Sequence, residues 1–417
     1  MKIKRSLFFY ILTLGCIFSS QSSFSNVAFY HFGIENGLPE ARIIDITQDS
    51  VGFIWLASEN AIFRFDGYQF KAYRKTNENL SSPAFDKINR IFTDSKGTLW
   101  IGSGNGIISY QPRRDQFTLP PEGWNRVLVT DITEDNKGQL WISTDEGLAC
   151  FTPGKNKTTW YTSPDLAKTP GNNFLPRGTI NKVACQPDGK IWINIDRGGL
   201  YRVDPQTHTV ENYETIGKTS TSEFNVSKIA YAGNRLFAGT ISHGLFSFSP
   251  EDDSIHFQHF NHLGYTIQHF QIASDPTMWL ASNNGLIHYN YETGQFRFFT
   301  NEPYNLLSLN RTAVINVFID KEGNLWVSSG IRGINYGLTN VPFFHFDTTG
   351  ENAYQLTHKE VASICFDHIG NMWLGYESGM VERHSNIPLK KKEFTLFKDS
   401  PQTGAGSIMK IFEDSHH

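Results

Sequence analysis

Apolar residues in this chain come in short blocks cut by turns. Ile88-Asn-Arg-Ile91-Phe92-Thr93 is followed by the turn Asp94-Ser-Lys-Gly97, then by Thr98 to Ser103. A second turn, Ser103-Gly-Asn-Gly106, leads into Ile107-Ile-Ser-Tyr110 and Asp115-Gln-Phe-Thr-Leu119. Blocks this short, with turn residues at every break, predict four antiparallel β-strands, a to d. Strand b is apolar on both faces, as in Phe53-Ile-Trp55-Leu-Ala57 and Asn324-Leu-Trp326-Val327, which predicts a strand buried on both faces. The unit returns around Trp55, Trp100, Trp141, Trp192, Trp279, Trp326 and Trp373, with Phe237 in the slot once. The spacings are 45, 41, 51, 45, 42, 47 and 47 residues. A period of that length built from short strands and Gly turns marks a β-propeller blade. The predicted fold class is all-β: a seven-bladed β-propeller of four-stranded antiparallel blades, then the truncated start of a second propeller.

Within a blade most motif residues read as structural. A buried Trp covers about 150–250 Å², so the seven motif tryptophans are expected to be core. The residue two after the Trp is usually small: Ala57, Gly102, Ser143, Gly239, Ala281, Ser328, Gly375. That leaves room for the adjacent blade; Asn194 departs from the rule and is a candidate to face the channel. Asp49, Asp94, Asp135, Asp320, Asp367 and Asp414 look like a row of carboxylates, but each sits at its own a–b turn. Asp bonds its own backbone in such turns and Gly accepts a positive φ. No single loop clusters the oxygens a calcium site needs. No metal and no cofactor are expected.

Residues 1–25 read as a signal peptide. Lys2, Lys4 and Arg5 precede the apolar run Leu7 to Phe18, and Ser23-Phe-Ser25 supplies a cleavage point before Asn26. The run is short for a membrane span, and Thr13-Leu-Gly15 before Cys16 fits a lipidation signal poorly. Ala28-Phe-Tyr-His-Phe32 resembles a strand d whose blade lacks it. The simplest closure pairs it with the seventh repeat, giving one ring over 26–340. Pro342-Phe-Phe-His-Phe346 looks like the opening strand again, an eighth repeat follows from Val361 to His384, and a ninth begins at Ile408. Residues 341–417 are thus expected to be the first blades of a second, incomplete propeller. The next motif Trp falls at about position 420, past the end, so the chain reads as part of a longer protein. The alternative is one eight-bladed ring with a ragged tail.

Composition narrows the function. Aromatics are 14%, charged residues 19%, and the net charge is −4. No broad basic field exists to hold nucleic acid, and Lys390-Lys-Lys392 reads as a solvated turn. Cys150, Cys185 and Cys365 remain after the signal, an odd count without tight spacing. They read as small buried hydrophobes on inner strands rather than a disulfide framework or zinc site.

Asn36-Gly-Leu-Pro, Ile43-Ile-Asp-Ile-Thr-Gln-Asp49-Ser-Val-Gly-Phe-Ile-Trp55-Leu-Ala-Ser and Phe63-Arg-Phe-Asp-Gly67-Tyr-Gln-Phe70 together resemble the two-component regulator propeller family. Leu306-Leu-Ser-Leu-Asn310, Asp320-Lys-Glu-Gly-Asn-Leu-Trp326 and Arg332-Gly-Ile-Asn-Tyr336 resemble the last blade of that family's first ring. The resemblance covers essentially all of 27–417. It implies the periplasmic sensor region of a hybrid two-component system, with two propellers, a β-sandwich, a membrane helix, and an internal kinase, receiver and DNA-binding module. It further implies an oligosaccharide ligand released from a glycan, control of glycan-utilisation genes, and a homodimeric parent. This chain itself would not phosphorylate or touch nucleic acid, and would meet the membrane only through downstream segments. Three repeats depart from the pattern: Phe237 with a Gly233-Asn234 turn, Asp275-Pro-Thr without Gly, and Ala61 for the second-turn Gly.

The d–a and b–c loops share one face of a propeller, and that face is the expected binding face. Sugars are met by planar aromatics and bidentate polar groups, and acidic sugars by Arg. Trp124, Arg126, Arg177, Arg197, His243 and Arg332 are the ligand-binding candidates; each alone is an ordinary loop residue, and only a shared face raises them as a set. Catalysis would need two carboxylates about 5–10 Å apart; Glu59, Asp145 and Glu146 lie on loops of that face. No Gly-x-Ser-x-Gly and no metal-type His pair accompanies them. A propeller hydrolase or lyase, and a protein-interaction scaffold, are the alternatives to sensing.

Overall fold

The structure is a computed structural model that describes residues 27–74, 85, 87–118, 121–161, 178–213, 215–216, 219–250, 254–258, 266–303, 305–339, 356–384, 394–397 and 406–414. Eight four-stranded antiparallel sheets account for nearly all of its regular structure. Blade 1 runs Asp45–Gln48, Ile54–Ala57, Ile62–Phe65 and Phe70–Tyr73. Blade 2 has the predicted strands slightly reframed: Arg90–Thr93, Leu99–Ser103, Gly106–Gln111 and Gln116–Phe117. The inner strands of blades 3 to 7 are Val129–Glu134, Ile180–Cys185, Val226–Ala232, Ile267–Ile272 and Asn316–Ile319. Each packs on the next, and Asn316–Ile319 packs back on Asp45–Gln48, so seven sheets ring a central channel.

The seventh sheet takes its outer strand from the other end of the chain. Ala28–Phe32 pairs antiparallel with Ile334–Leu338, outside Leu325–Ser328 and Asn316–Ile319. The eighth sheet is Val361–Phe366, Met372–Tyr376, Val381–His384 and Phe394–Phe397. Residues 1–25, Pro342 to Phe346 and Lys390 to Lys392 lie outside the described residues.

The six ring tryptophans are buried between blades. The motif Asp does two jobs there. In blade 2 Asp94 Oδ1 accepts backbone N–H bonds from Lys96 and Thr98, closing the turn, while Oδ2 accepts the Trp100 indole N–H at 2.8 Å. The same indole bond joins Asp49 to Trp55, Asp135 to Trp141, Asp320 to Trp326 and Asp367 to Trp373. In blade 4 Gln186 replaces the Asp and its Oε1 takes the Trp192 bond at 3.0 Å. Blade 5 has neither Trp nor Asp, while blade 6 keeps Trp279 but has Ala273 in the Asp position.

The small residue two after the Trp does make room for the neighbouring blade. A Cβ on Gly102 would sit 2.4 Å from Val129 Cγ1 of blade 3, and one on Gly239 2.9 Å from Ile267 Cγ2 of blade 6. Asn194 is buried, and its amide bonds Gly199 O at 3.2 Å, closing its own b–c turn instead of reaching into the channel. Ser103, Thr144, Thr240 and Ser282 close the matching turns through their hydroxyls. The three cysteines are unpaired. Cys150 lies on the third strand Leu148–Thr152, not on an inner strand, where burial pushes its thiol up to about 12.

Candidate functional site

Every inner strand opens with the same local pattern: an aliphatic residue, a variable residue, then a polar one. The series is Ile43-Ile-Asp45, Ile88-Asn-Arg90, Val129-Thr-Asp131, Ile180-Asn-Lys182, Val226-Ser-Lys228, Ile267-Gln-His269 and Val314-Ile-Asn316. In blades 3 to 6 the pairing register shifts across the middle residue. A β-bulge of this kind re-aims the side chain that follows it. All seven polar residues stand opposite the position two after the motif Trp, for example Asp45 opposite Ala57 and Lys182 opposite Asn194. They form one polar ring around the channel. The middle residues staple blades together: Asn89 Nδ2 donates to Val129 O at 2.8 Å, and the Thr130 and Ser227 hydroxyls donate to Ile180 O and Ile267 O.

The ring is electrostatically lopsided. From blade 7 to blade 3 its members are linked by ion pairs and hydrogen bonds. Asn316 Nδ2 donates to Asp45 Oδ1 at 3.0 Å, Arg90 Nη1 reaches both Asp45 oxygens at 3.1 Å, and Arg90 Nε lies 3.1 Å from Asp131 Oδ1. Burial works against the Arg90 charge, but Asp45 and Asp131 outweigh it. Burial likewise pushes the Asp131 carboxyl up, and Lys228, Lys182 and Arg90 together hold it below the usual range. From blade 4 to blade 6 the situation differs. Neither Lys182 nor Lys228 has an ion-pair partner among the described residues. Burial, then Arg90 and Lys182, push the Lys228 ammonium down to about 8 against Asp131 and Asp45. His269 is driven well below its usual value by burial and then by Lys228, Arg90 and Lys182. Its buried ring nitrogens hold no well-formed hydrogen bond; only a weak contact with the Val317 backbone favours the charged form.

This ring was not singled out from the sequence. Its signal was present, as a polar residue at one fixed place in each repeat, but only ring closure brings the seven together.

The rim candidates fare unevenly. Arg126, Arg197, His243 and Arg332 are exposed on d–a or b–c connections. These connections adjoin the starts of the inner strands, so the polar ring lies just inside their face. The His243 ring packs on Phe224 at 5.0 Å, with Nδ1 2.7 Å from Ser242 Oγ. Trp124 is a correction. It is fully buried in the blade 2–3 core and its indole donates to Thr158 Oγ1 at 2.9 Å, so it offers no face to a sugar. Gly106 admits it: a Cβ there would lie 2.6 Å from Trp124 O. Arg177 lies outside the described residues. Glu59, Asp145 and Glu146 are exposed, and Asp145 Oδ1 accepts the Leu128 N–H at 2.9 Å, tying the b–c loop to the d–a loop. Among the described residues no three His, Cys, Asp or Glu side chains are placed to hold a metal ion, and no helix is long and apolar enough to cross a membrane.

Comparison with known proteins agrees with the motif reading. The family model described as two-component regulator propeller matches residues 82–105 and 123–146. A 58-residue stretch is 38% identical to Histidine kinase P4 of Formosa agariphila, covering 14% of this chain and 4% of that protein. Among solved structures, the extracellular domain of the hybrid two-component system BT3049 from B. thetaiotaomicron superposes with a TM-score of 0.70 at 24% identity, over 94% of this chain and 51% of that one. The extracellular domain of BT4673 from the same organism gives 0.62 at 21% identity, over 93% and 50%. The chain carries two-component regulator propeller repeats and shares the propeller fold of these extracellular domains, spanning about half their length.

Proposed function

We propose that this chain is the ligand-sensing part of a two-component regulator, exported to the periplasm and without catalytic activity of its own. The observation that carries the reading is the regulator-propeller repeat, matched in blades 2 and 3, on a chain that shares the fold of two-component extracellular domains almost end to end. The ligand is a glycan-derived oligosaccharide, met at the rim by Arg126, Arg197, His243 and Arg332, with Arg177 on the same predicted face. Binding shifts the balance between arrangements of the parent dimer, and so the kinase that controls glycan-utilisation genes. The eighth sheet is the first blade of a second propeller. Two features favour binding over hydrolysis. Asp45 and Asp131 are both engaged by Arg90, and Asp131 is held ionised, the opposite of what a general acid needs.

The test is calorimetric titration of the full chain with acidic and neutral oligosaccharides, with chromatography of the recovered sugar. Saturable binding at sub-millimolar concentration with the sugar intact is expected. Turnover of the sugar would replace sensing with catalysis.

A further inference from the structure

We propose that the arc of the channel formed by Lys182, Lys228 and His269 binds an anionic oxygen group, a carboxylate or a sulfate. This goes beyond the sensing role, because the chemistry is the same whether the anion arrives on an acidic sugar or free in solution.

The argument starts from the asymmetry of the ring. Two carboxylates and three cations share it, and Arg90 sits between both carboxylates. Lys182 and Lys228 stand on adjacent inner strands, at the same register position after the same bulge. Two ammonium groups side by side repel each other, and taking each out of bulk water adds to the cost. The Asp131 oxygen that does not face Arg90 is buried without a hydrogen bond, so one carboxylate edge opposes two lysines without contacting them. Lys182 and Lys228 are each half-buried, not fully enclosed. An oxyanion between them would take two charge-assisted bonds. Neutral His269, whose ring nitrogens hold no well-formed hydrogen bond beyond the weak Val317 backbone contact, can donate a third. Neighbouring groups leave the arc positive: Lys228 is faced by Arg90, Asp131, Lys182, Asp45 and His269, and blade 7 contributes only neutral Asn316.

The experiment titrates the full chain, in a low-anion buffer at pH 7, with inorganic sulfate, a sulfated disaccharide, a uronic-acid disaccharide and a neutral oligosaccharide. The same series is run on Lys182→Met and Lys228→Met. Loss of one charge-assisted bond is expected to weaken anion binding by about tenfold or more in either variant, with neutral-sugar binding unchanged. Wild-type affinity for the anion is also expected to fall between pH 7 and pH 9.5, as Lys228 loses its proton. That readout needs no variant to fold. Binding of sulfate alone identifies a free anion as the source, and binding of the charged sugars alone identifies the glycan. Anion binding indifferent to both lysines and to pH, or no anion binding at all, overturns the proposal. Neutral-sugar binding without anion binding would sink this inference and leave sensing intact; lysine-dependent sulfate binding without any sugar binding would do the reverse.

Discussion

At the scale of single residues, the motif is a hydrogen-bonded pair rather than two independent preferences. One Asp oxygen closes the turn and the other holds the indole six residues on. The turn role of Asp was legible in the sequence, because turn chemistry is local. The indole bond was not, since nothing in the spacing says where the second oxygen points. The pair makes a sharp prediction. Trp100→Phe keeps most of the buried ring but leaves Asp94 Oδ2 without its donor, at a cost of about 1–3 kcal/mol. Trp100→Ala also empties the core and costs about 3–5 kcal/mol. Denaturant unfolding of both variants checks the order; a Trp100→Phe variant as stable as wild type would show that the bond contributes nothing. Trp124 illustrates the opposite limit. An aromatic on a predicted loop read as a sugar platform, yet the backbone of Gly106 leaves space for it in the core, a fit that only the assembled blade reveals.

At the scale of the strand, two positions decide how blades meet. The first is the small residue after the Trp, readable from the sequence because it recurs. Gly102→Ala would place a methyl 2.4 Å from Val129 Cγ1, and overpacking of this kind costs about 1–3 kcal/mol. Val129→Ala is expected to recover part of that loss in the double variant; strict additivity would place the strain elsewhere. The second position is the polar residue that each inner strand turns into the channel, after a bulge in blades 3 to 6. It was hidden because a bulge looks like any other residue in a linear pattern, and its meaning depends on six other blades. Its consequence is measurable in the pH dependence of stability. The folded pKa of Lys228, about 8, lies below the value of 10.5 for a free lysine, so between these limits the unfolded chain binds the extra proton. Stability from this group is therefore lost as pH falls through 8 and recovered as pH rises to 10.5, by up to about 3 kcal/mol. The advantage of Lys228→Met over wild type in unfolding free energy should shrink across that window. A constant difference from pH 7 to 10.5 would mean that Lys228 titrates normally.

At the scale of the whole ring, stability depends on one strand that arrives from the opposite end of the chain. The two faces of Ala28–Phe32 serve different seams. Phe29 is buried with Trp279, Leu325 and Val327 on the blade 6 side, and Gly337 opposite it is bare because a Cβ would lie 2.7 Å from its ring. Phe32 stacks on Trp326 at 6.1 Å and packs on Phe65 of blade 1 at 5.3 Å. The strand thus fills the outer gaps on both sides of blade 7 and covers the edge that Ile334–Leu338 would otherwise expose. An open edge of that kind pairs readily with other chains. Deleting residues 27–33 should therefore lower the melting temperature by more than any single core substitution and promote association. A synthetic peptide of residues 26–34, added in excess, should restore part of the lost stability in proportion to its concentration, as a ligand of the folded state does. An unchanged melting temperature after the deletion would mean that inner-strand contacts alone hold the ring closed.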